Sequence, residues 1–154
     1  MNANIEIKEL PELNVAYVSQ IGEEGLDAAF KKIIDWAKPR GLLEAEALNL
    51  VRIYHDSFTV TSADKVRMSI GIVLTLPVEV EGDIKLSAIE KGKYIVGHFE
   101  IEPRDFKQSW TALFVFMNEN GFKKKDVNPF EIIHNDFNNH PEGKCIVDLY
   151  IGVL

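Results

Sequence analysis

The residue best placed for chemistry in this sequence is an acid in apolar surroundings. Glu131 lies inside Pro129-Phe130-Glu131-Ile132-Ile133, between large apolar side chains that must bury at least one face of a strand. Side chains alternate across a strand, so residues 131, 133 and 135 share one face and 130, 132 and 134 the other. A carboxylate in an apolar, low-dielectric setting costs several kcal/mol unless it is protonated, paired or meets a cation. Two readings stay open: a structural salt bridge, with Arg52 or Arg67 as partner, and a site for a cation. Aromatic residues supply the other half of a cation site. Tyr17, Tyr54, Tyr94, Trp110, Phe114, Phe130 and Tyr150 fall on elements expected to face the core, and a ring face attracts a cation by about 0.5–2 kcal/mol. Helical spacing makes Trp36, Trp110 and Phe114 ordinary core residues first. The tyrosines are more suggestive, because a buried hydroxyl needs a partner.

Other chemistry is poorly supported. The sequence holds no glycine-rich phosphate loop, no G-x-S-x-G elbow, no HExxH and no paired CxxC. His134, Asp136 and His140 lie in HNDFNNHPEG, whose Asn, Asp, Pro and Gly read as an exposed hairpin loop, so no metal and no cofactor is expected. Cys145 begins an apolar strand and reads as a buried structural thiol. His55 and His98 sit within strand patterns, as structural histidines.

The elements that must position Glu131 follow from periodicity. Ile5 to Leu10 alternates apolar with charged residues, and Val15 to Ile21 is rich in β-branched and aromatic residues up to Gly22; both read as strands. Leu26, Ala29, Phe30, Ile33 and Ala37 recur at helical spacing until Pro39 and Gly41. Two more strands are expected over Asn49 to His55 and Arg67 to Leu76. After Pro77 and the acidic link through Gly82 the order starts again. A second helix begins near Pro103, carries Phe106, Trp110, Leu113, Phe114 and Met117 on one stripe, and ends before Gly121.

Comparing the two halves residue by residue supports a repeat. At a shift of 79, Ile5 meets Ile84, Ile7 meets Leu86 and Leu10 meets Ile89; Arg52 meets Glu131, and Ile53-Tyr54-His55-Asp56 meets Ile132-Ile133-His134-Asn135. Trp36 meets Phe116, and Gly41-Leu42 meets Gly121-Phe122, after one inserted residue. The expected fold is α+β: duplicated β-α-β-β modules with pseudo-twofold symmetry, antiparallel sheets with helices on one side, and a central ligand groove. Halves of about 1–78 and 82–154 are each small for a domain, so residues 1–154 form one domain with the site between them.

Composition narrows the function classes. The 154 residues are 46% hydrophobic and carry 17 basic against 24 acidic side chains, for a net charge of −7 and a core that needs no disulfide. One cysteine suits a reducing compartment, and neither a signal peptide nor an eighteen-residue apolar run is visible, so a cytoplasmic protein without membrane insertion is expected. The acidic balance repels phosphate backbones, so direct nucleic-acid binding is not expected. A cation is the natural partner.

Several segments together resemble the GyrI-like effector-binding domains. Leu50-Val51-Arg52-Ile53-Tyr54-His55-Asp56, followed by Thr61, Ala63-Asp64-Lys65 and Arg67, is similar to that family's "Y-x-D-x-P…T…(D/E)-K-x-R" segment. Gly92-Lys93-Tyr94, Trp110, Pro129-Phe130-Glu131 and Asp148-Leu149-Tyr150-Ile151 resemble its later marks. Phe58, Ser69 and Gly152 depart from it. The family includes the ligand-binding halves of Rob-like and BmrR-like transcription regulators and a DNA gyrase inhibitor. The resemblance implies a groove for hydrophobic, often cationic, small molecules, with Glu131 as the acid that meets the cation and Tyr150, Trp110 and Tyr54 lining it; Tyr17, Tyr94 and Phe114 complete the candidate set. It also implies alternatives: a hydrolase opening cyclopropane rings of DNA-alkylating compounds, with Glu131 and Trp110 as the catalytic pair, or a gyrase inhibitor. Non-catalytic binding is the preferred reading. No helix-turn-helix accompanies the domain, so a free-standing module, monomer or dimer, is expected, with gyrase or a DNA-binding regulator as protein partner.

Overall fold

The computed structural model describes residues 2–43, 48–57, 60–136 and 140–154. Eight strands and two helices follow in the order β1 (Asn2–Leu10), β2 (Leu13–Ile21), α1 (Leu26–Ala37), β3 (Leu50–Tyr54), β4 (Arg67–Leu74), β5 (Lys85–Ile89), β6 (Gly92–Ile101), α2 (Phe106–Glu119), β7 (Phe130–Ile133) and β8 (Cys145–Gly152). Each half thus reads β-β-α-β-β, the leading strand included. Phe58 and residues 137–139 of the β7–β8 connection lie outside the described residues.

The antiparallel sheets expected of the two halves are joined edge to edge into one. Its order is β1-β6-β8-β7-β3-β4-β2-β5. The leading strand of each half pairs with the second strand of the other: β1 with β6 and β5 with β2. The halves meet at β3 and β7, where Arg52 stands directly opposite Glu131. Register runs on through Ile70 of β4 on one side and Leu149 of β8 on the other, so all four residues share a face.

Both helices cover that face. α1 packs over β2 and β4, α2 over β6 and β8, and the middle pair β3–β7 lies between them. Ala29, Ile33, Trp36 and Ala37 of α1 and Trp110, Leu113 and Met117 of α2 join Ile70, Ile72, Ile95, Phe99 and Leu149 in one core. A turn at Gly22 feeds α1: its φ is +71°, and a Cβ there would come within 2.6 Å of the Asp64 carbonyl oxygen, so only glycine fits without a shift. Gly41, at φ +68°, ends the short 3-10 turn after α1. The opposite face carries a second core of Val15, Val51, Ile53, Tyr94, Val96, Phe130, Ile132 and Tyr150. Both faces of the middle strands are therefore buried, which explains why β3 and β7 read as nearly continuous apolar runs interrupted by Arg52 and Glu131.

Candidate functional site

Glu131 is wholly buried on the helix-bearing face. Its Oε1 accepts a hydrogen bond from Arg52 Nε at 2.7 Å and a short one from the Tyr54 hydroxyl. Its Oε2 is buried without a hydrogen-bond partner among the described residues. An anionic carboxylate can accept about four hydrogen bonds, so half of its capacity is unspent in a site with no access to bulk water. Arg52 satisfies the salt-bridge reading of the sequence. Arg67 takes a different partner, Asp56, through 3.0 and 2.8 Å contacts at the sheet end.

The register explains the meeting of these three side chains. Arg52 and Glu131 are cross-strand neighbours, and Tyr54 is two residues beyond Arg52 on the same face of β3. Burial pulls the Arg52 guanidinium toward deprotonation, but the Glu131 charge beside it reverses that and holds it above its ordinary range. The Tyr54 hydroxyl is held well above its usual value, by burial first and then by the Glu131 charge, so it stays a donor. Aromatic walls complete the site. Trp110 meets Tyr54 edge to face at 5.8 Å, and Phe114 lies 6.3 Å from Trp110 one helical turn on. The guanidinium of Arg52 lies over the Tyr54 ring at 5.2 Å and the Phe106 ring at 5.7 Å.

Of the residues singled out in the sequence, Glu131, Tyr54, Trp110 and Phe114 come together. Tyr150, Tyr94 and Tyr17 do not: all three lie on the opposite face of the sheet. Tyr150 pairs with Phe130 across β7–β8, stacked at 4.4 Å, and Tyr94 packs edge-on against both rings. The Tyr94 hydroxyl donates to the Glu90 carbonyl at 2.6 Å. Burial raises the Tyr150 hydroxyl, with a further push from the Asp148 charge. The physical reason is parity: Glu131 and Tyr150 stand on adjacent strands one residue out of register, so they point to opposite sides. Sequence reading offered Arg52 only as a structural salt-bridge partner of Glu131, not as a member of the site, and missed Phe106. The Arg52–Glu131 match at a shift of 79 was the available signal for the first; Phe106 had only its place on the α2 stripe.

The remaining candidates lie outside this cluster. Burial pushes the Cys145 thiol up to about 11, with the Glu131 charge adding to it, so it is not a thiolate. His55 Nε2 meets Ser69 Oγ at 2.6 Å, and its Nδ1 accepts a hydrogen bond from the Asn128 side-chain amide at 3.1 Å. His98 bridges Glu6 and Asp148, each at 2.7 Å, and His134 binds the other Asp148 oxygen at 2.8 Å. His140 pairs with Glu100, and no cluster of metal-ligating side chains occurs among the described residues. No described helix is long and apolar enough to cross a membrane.

Known proteins share this fold. The model of the GyrI-like small molecule binding domain matches residues 3–154. A DNA gyrase inhibitor of Salmonella typhimurium is 26% identical over 155 residues, covering 96% of this chain and 96% of its own. The EcmrR C-terminal domain superposes with a TM-score of 0.79 at 17% identity, spanning 100% of this chain and 99% of that one. SAV2435 bound to tetraphenylphosphonium superposes with a TM-score of 0.63 at 11% identity, spanning 98% of this chain and 94% of that one. At these identities the two structural likenesses are of fold. With the eight-stranded sheet, its two helices on one face and a sequence match over nearly its whole length, the chain belongs to the GyrI-like small molecule binding domain family.

Proposed function

We propose that the chain binds hydrophobic small molecules carrying a positive charge, over the middle of the sheet between α1 and α2. The observation that carries this reading is the buried Glu131 carboxylate with Oε2 unengaged by any described residue, beside the rings of Tyr54 and Trp110. A cation brought to Oε2 would gain a charge-assisted contact in a water-poor site, and the rings would add their quadrupoles and apolar area. Tetraphenylphosphonium bound to a protein of the same fold supports a lipophilic cation as the ligand class. Plain binding needs only these contacts. Ring-opening hydrolysis would also need a water held in line with an electrophile, and gyrase inhibition would need a surface that the site does not define. A DNA-binding regulator or gyrase is the partner that would read the liganded state.

The test compares tetraphenylphosphonium with tetraphenylborate, which has nearly the same shape and the opposite charge, by calorimetric titration. Glu131→Gln keeps the side-chain shape and removes the charge. Affinity for the cation is expected to fall about tenfold or more, corresponding to about 1.4 kcal/mol, while affinity for the anion stays or rises. An equal loss for both ions removes the charge-based reading.

A further inference from the structure

The carboxylate at the centre of the site already has a cation on it, and that cation belongs to the chain. Arg52 reaches Glu131 Oε1 through Nε, lies over the rings of Tyr54 and Phe106, and is 14% exposed. Carboxylate below and aromatic faces alongside are the features that a ligand cation would seek. No hydrogen bond from Nη1 or Nη2 to a described residue accompanies the Nε contact, so the outer edge of the guanidinium is not tied down as a bidentate fork would be. One carboxylate oxygen is spent on this side chain and Tyr54 while the other has no hydrogen-bond partner among the described residues, although the whole side chain is buried.

From this arrangement we infer that Arg52 is the specificity-determining residue of the site: a tethered competitor seated on Glu131 and the aromatic rings, which an entering cation must displace or pack beside. The inference rests on the binding reading above and deepens it. Its consequence is that the native chain holds lipophilic cations more weakly than its rings and carboxylate alone would, and rejects cations too small to cover the rings as they compete. Arg52 thereby sets a threshold of size and apolar area as well as of charge. Lysine at this position would keep the charge but lose the planar face and the Nε contact, leaving the rings open.

The experiment titrates wild type, Arg52→Lys and Arg52→Met with tetraphenylphosphonium and tetraphenylborate, after circular dichroism has checked folding. Arg52→Met is expected to bind the phosphonium about tenfold or more tightly than wild type, and Arg52→Lys about threefold or more tightly. The lysine variant separates seat from charge and keeps Glu131 paired, so it decides the matter if the methionine variant does not fold. A gain in Arg52→Met with none in Arg52→Lys means that the general field, and not occupancy of the seat, is at work, and overturns the inference. Unchanged or weaker phosphonium binding in Arg52→Lys, with wild type still preferring phosphonium to borate, overturns it and leaves the binding reading standing. Wild type and variants without any preference between the two ions bring down both.

Discussion

Phe130 and Glu131 are neighbours in β7, and the two faces to which they point are built differently. Behind the sheet, Phe130 stacks on Tyr150 and Tyr94 closes the cluster edge-on, with the Tyr94 hydroxyl donating to a backbone carbonyl near the sheet end. In front, Glu131, Arg52 and Tyr54 bring a charge pair and a phenol into the core, and Oε2 has no hydrogen-bond partner among the described residues. The rear face has more stacked aromatic surface, yet the buried Tyr94 hydroxyl within it is engaged. The front face has unspent hydrogen-bonding capacity at its most buried point. Ligand sites are to be sought where polar capacity is left over, not where aromatic rings are most numerous.

The largest expected effect is on the rear face. Phe130→Ala removes a fully buried ring and is expected to cost about 3–5 kcal/mol in urea unfolding. The ratio of phosphonium to borate affinity should stay as in wild type, since the ring faces away from Glu131. A collapse of that ratio would mean that the two faces act as one site, and the contrast would fail.

A paired substitution sharpens it at intermediate scale. Tyr54→Phe deletes a donor to a buried carboxylate and is expected to cost about 1.5–3 kcal/mol, the range for hydrogen bonds to charged groups. Tyr94→Phe deletes a donor to a neutral carbonyl and is expected to cost about 0.5–1.5 kcal/mol. Equal losses would show that the front carboxylate is no more demanding than the rear carbonyl.

The smallest effect is one of pH, and it too belongs to the rear face. Burial lowers the affinity of His98 for a proton, but hydrogen bonds to Asp148 and Glu6 outweigh it and hold the imidazole above its usual 6.5. Stability from this contact is therefore fully present below pH 6.5 and is lost as pH rises through the folded value. His98 is 35% exposed, so solvent screening limits the effect to less than about 1 kcal/mol, or roughly 3 °C in Tm. Melting curves between pH 5.5 and 8 should show the decline in wild type and lack it in His98→Gln. A decline that survives in the variant assigns it elsewhere.

Much of the frame was legible in the sequence. The strand at Val15 to Ile21 starts two residues earlier in the structure, at Leu13, and the helix over Leu26 to Ala37 matches the apolar stripe. Glu131 could be recognised because an acid inside a run of Phe and Ile breaks the pattern that burial demands. The tyrosines could not be sorted the same way. Period-2 alternation says which residues of one strand share a face, but not how the faces of two strands correspond. Tyr150 shares a face with Phe130, and that follows only from the β7–β8 register. Phe106 enters through the approach of α2 to β3, a contact far apart in the chain.

By itself the sequence determined the order of strands and helices, the burial of at least one face of the strand around Glu131, and the presence of one acid that needed an answer. These rest on local periodicity and on the cost of burying charge, both of which act residue by residue. The tertiary structure decided what that answer is. Joining the two halves at β3 and β7 set Arg52 opposite Glu131, and placing α2 beside that pair brought Trp110 and Phe106 to it. Strand register and helix position are global quantities, fixed only when the whole sheet is assembled, and here they settle both the partner of the buried acid and the face it occupies.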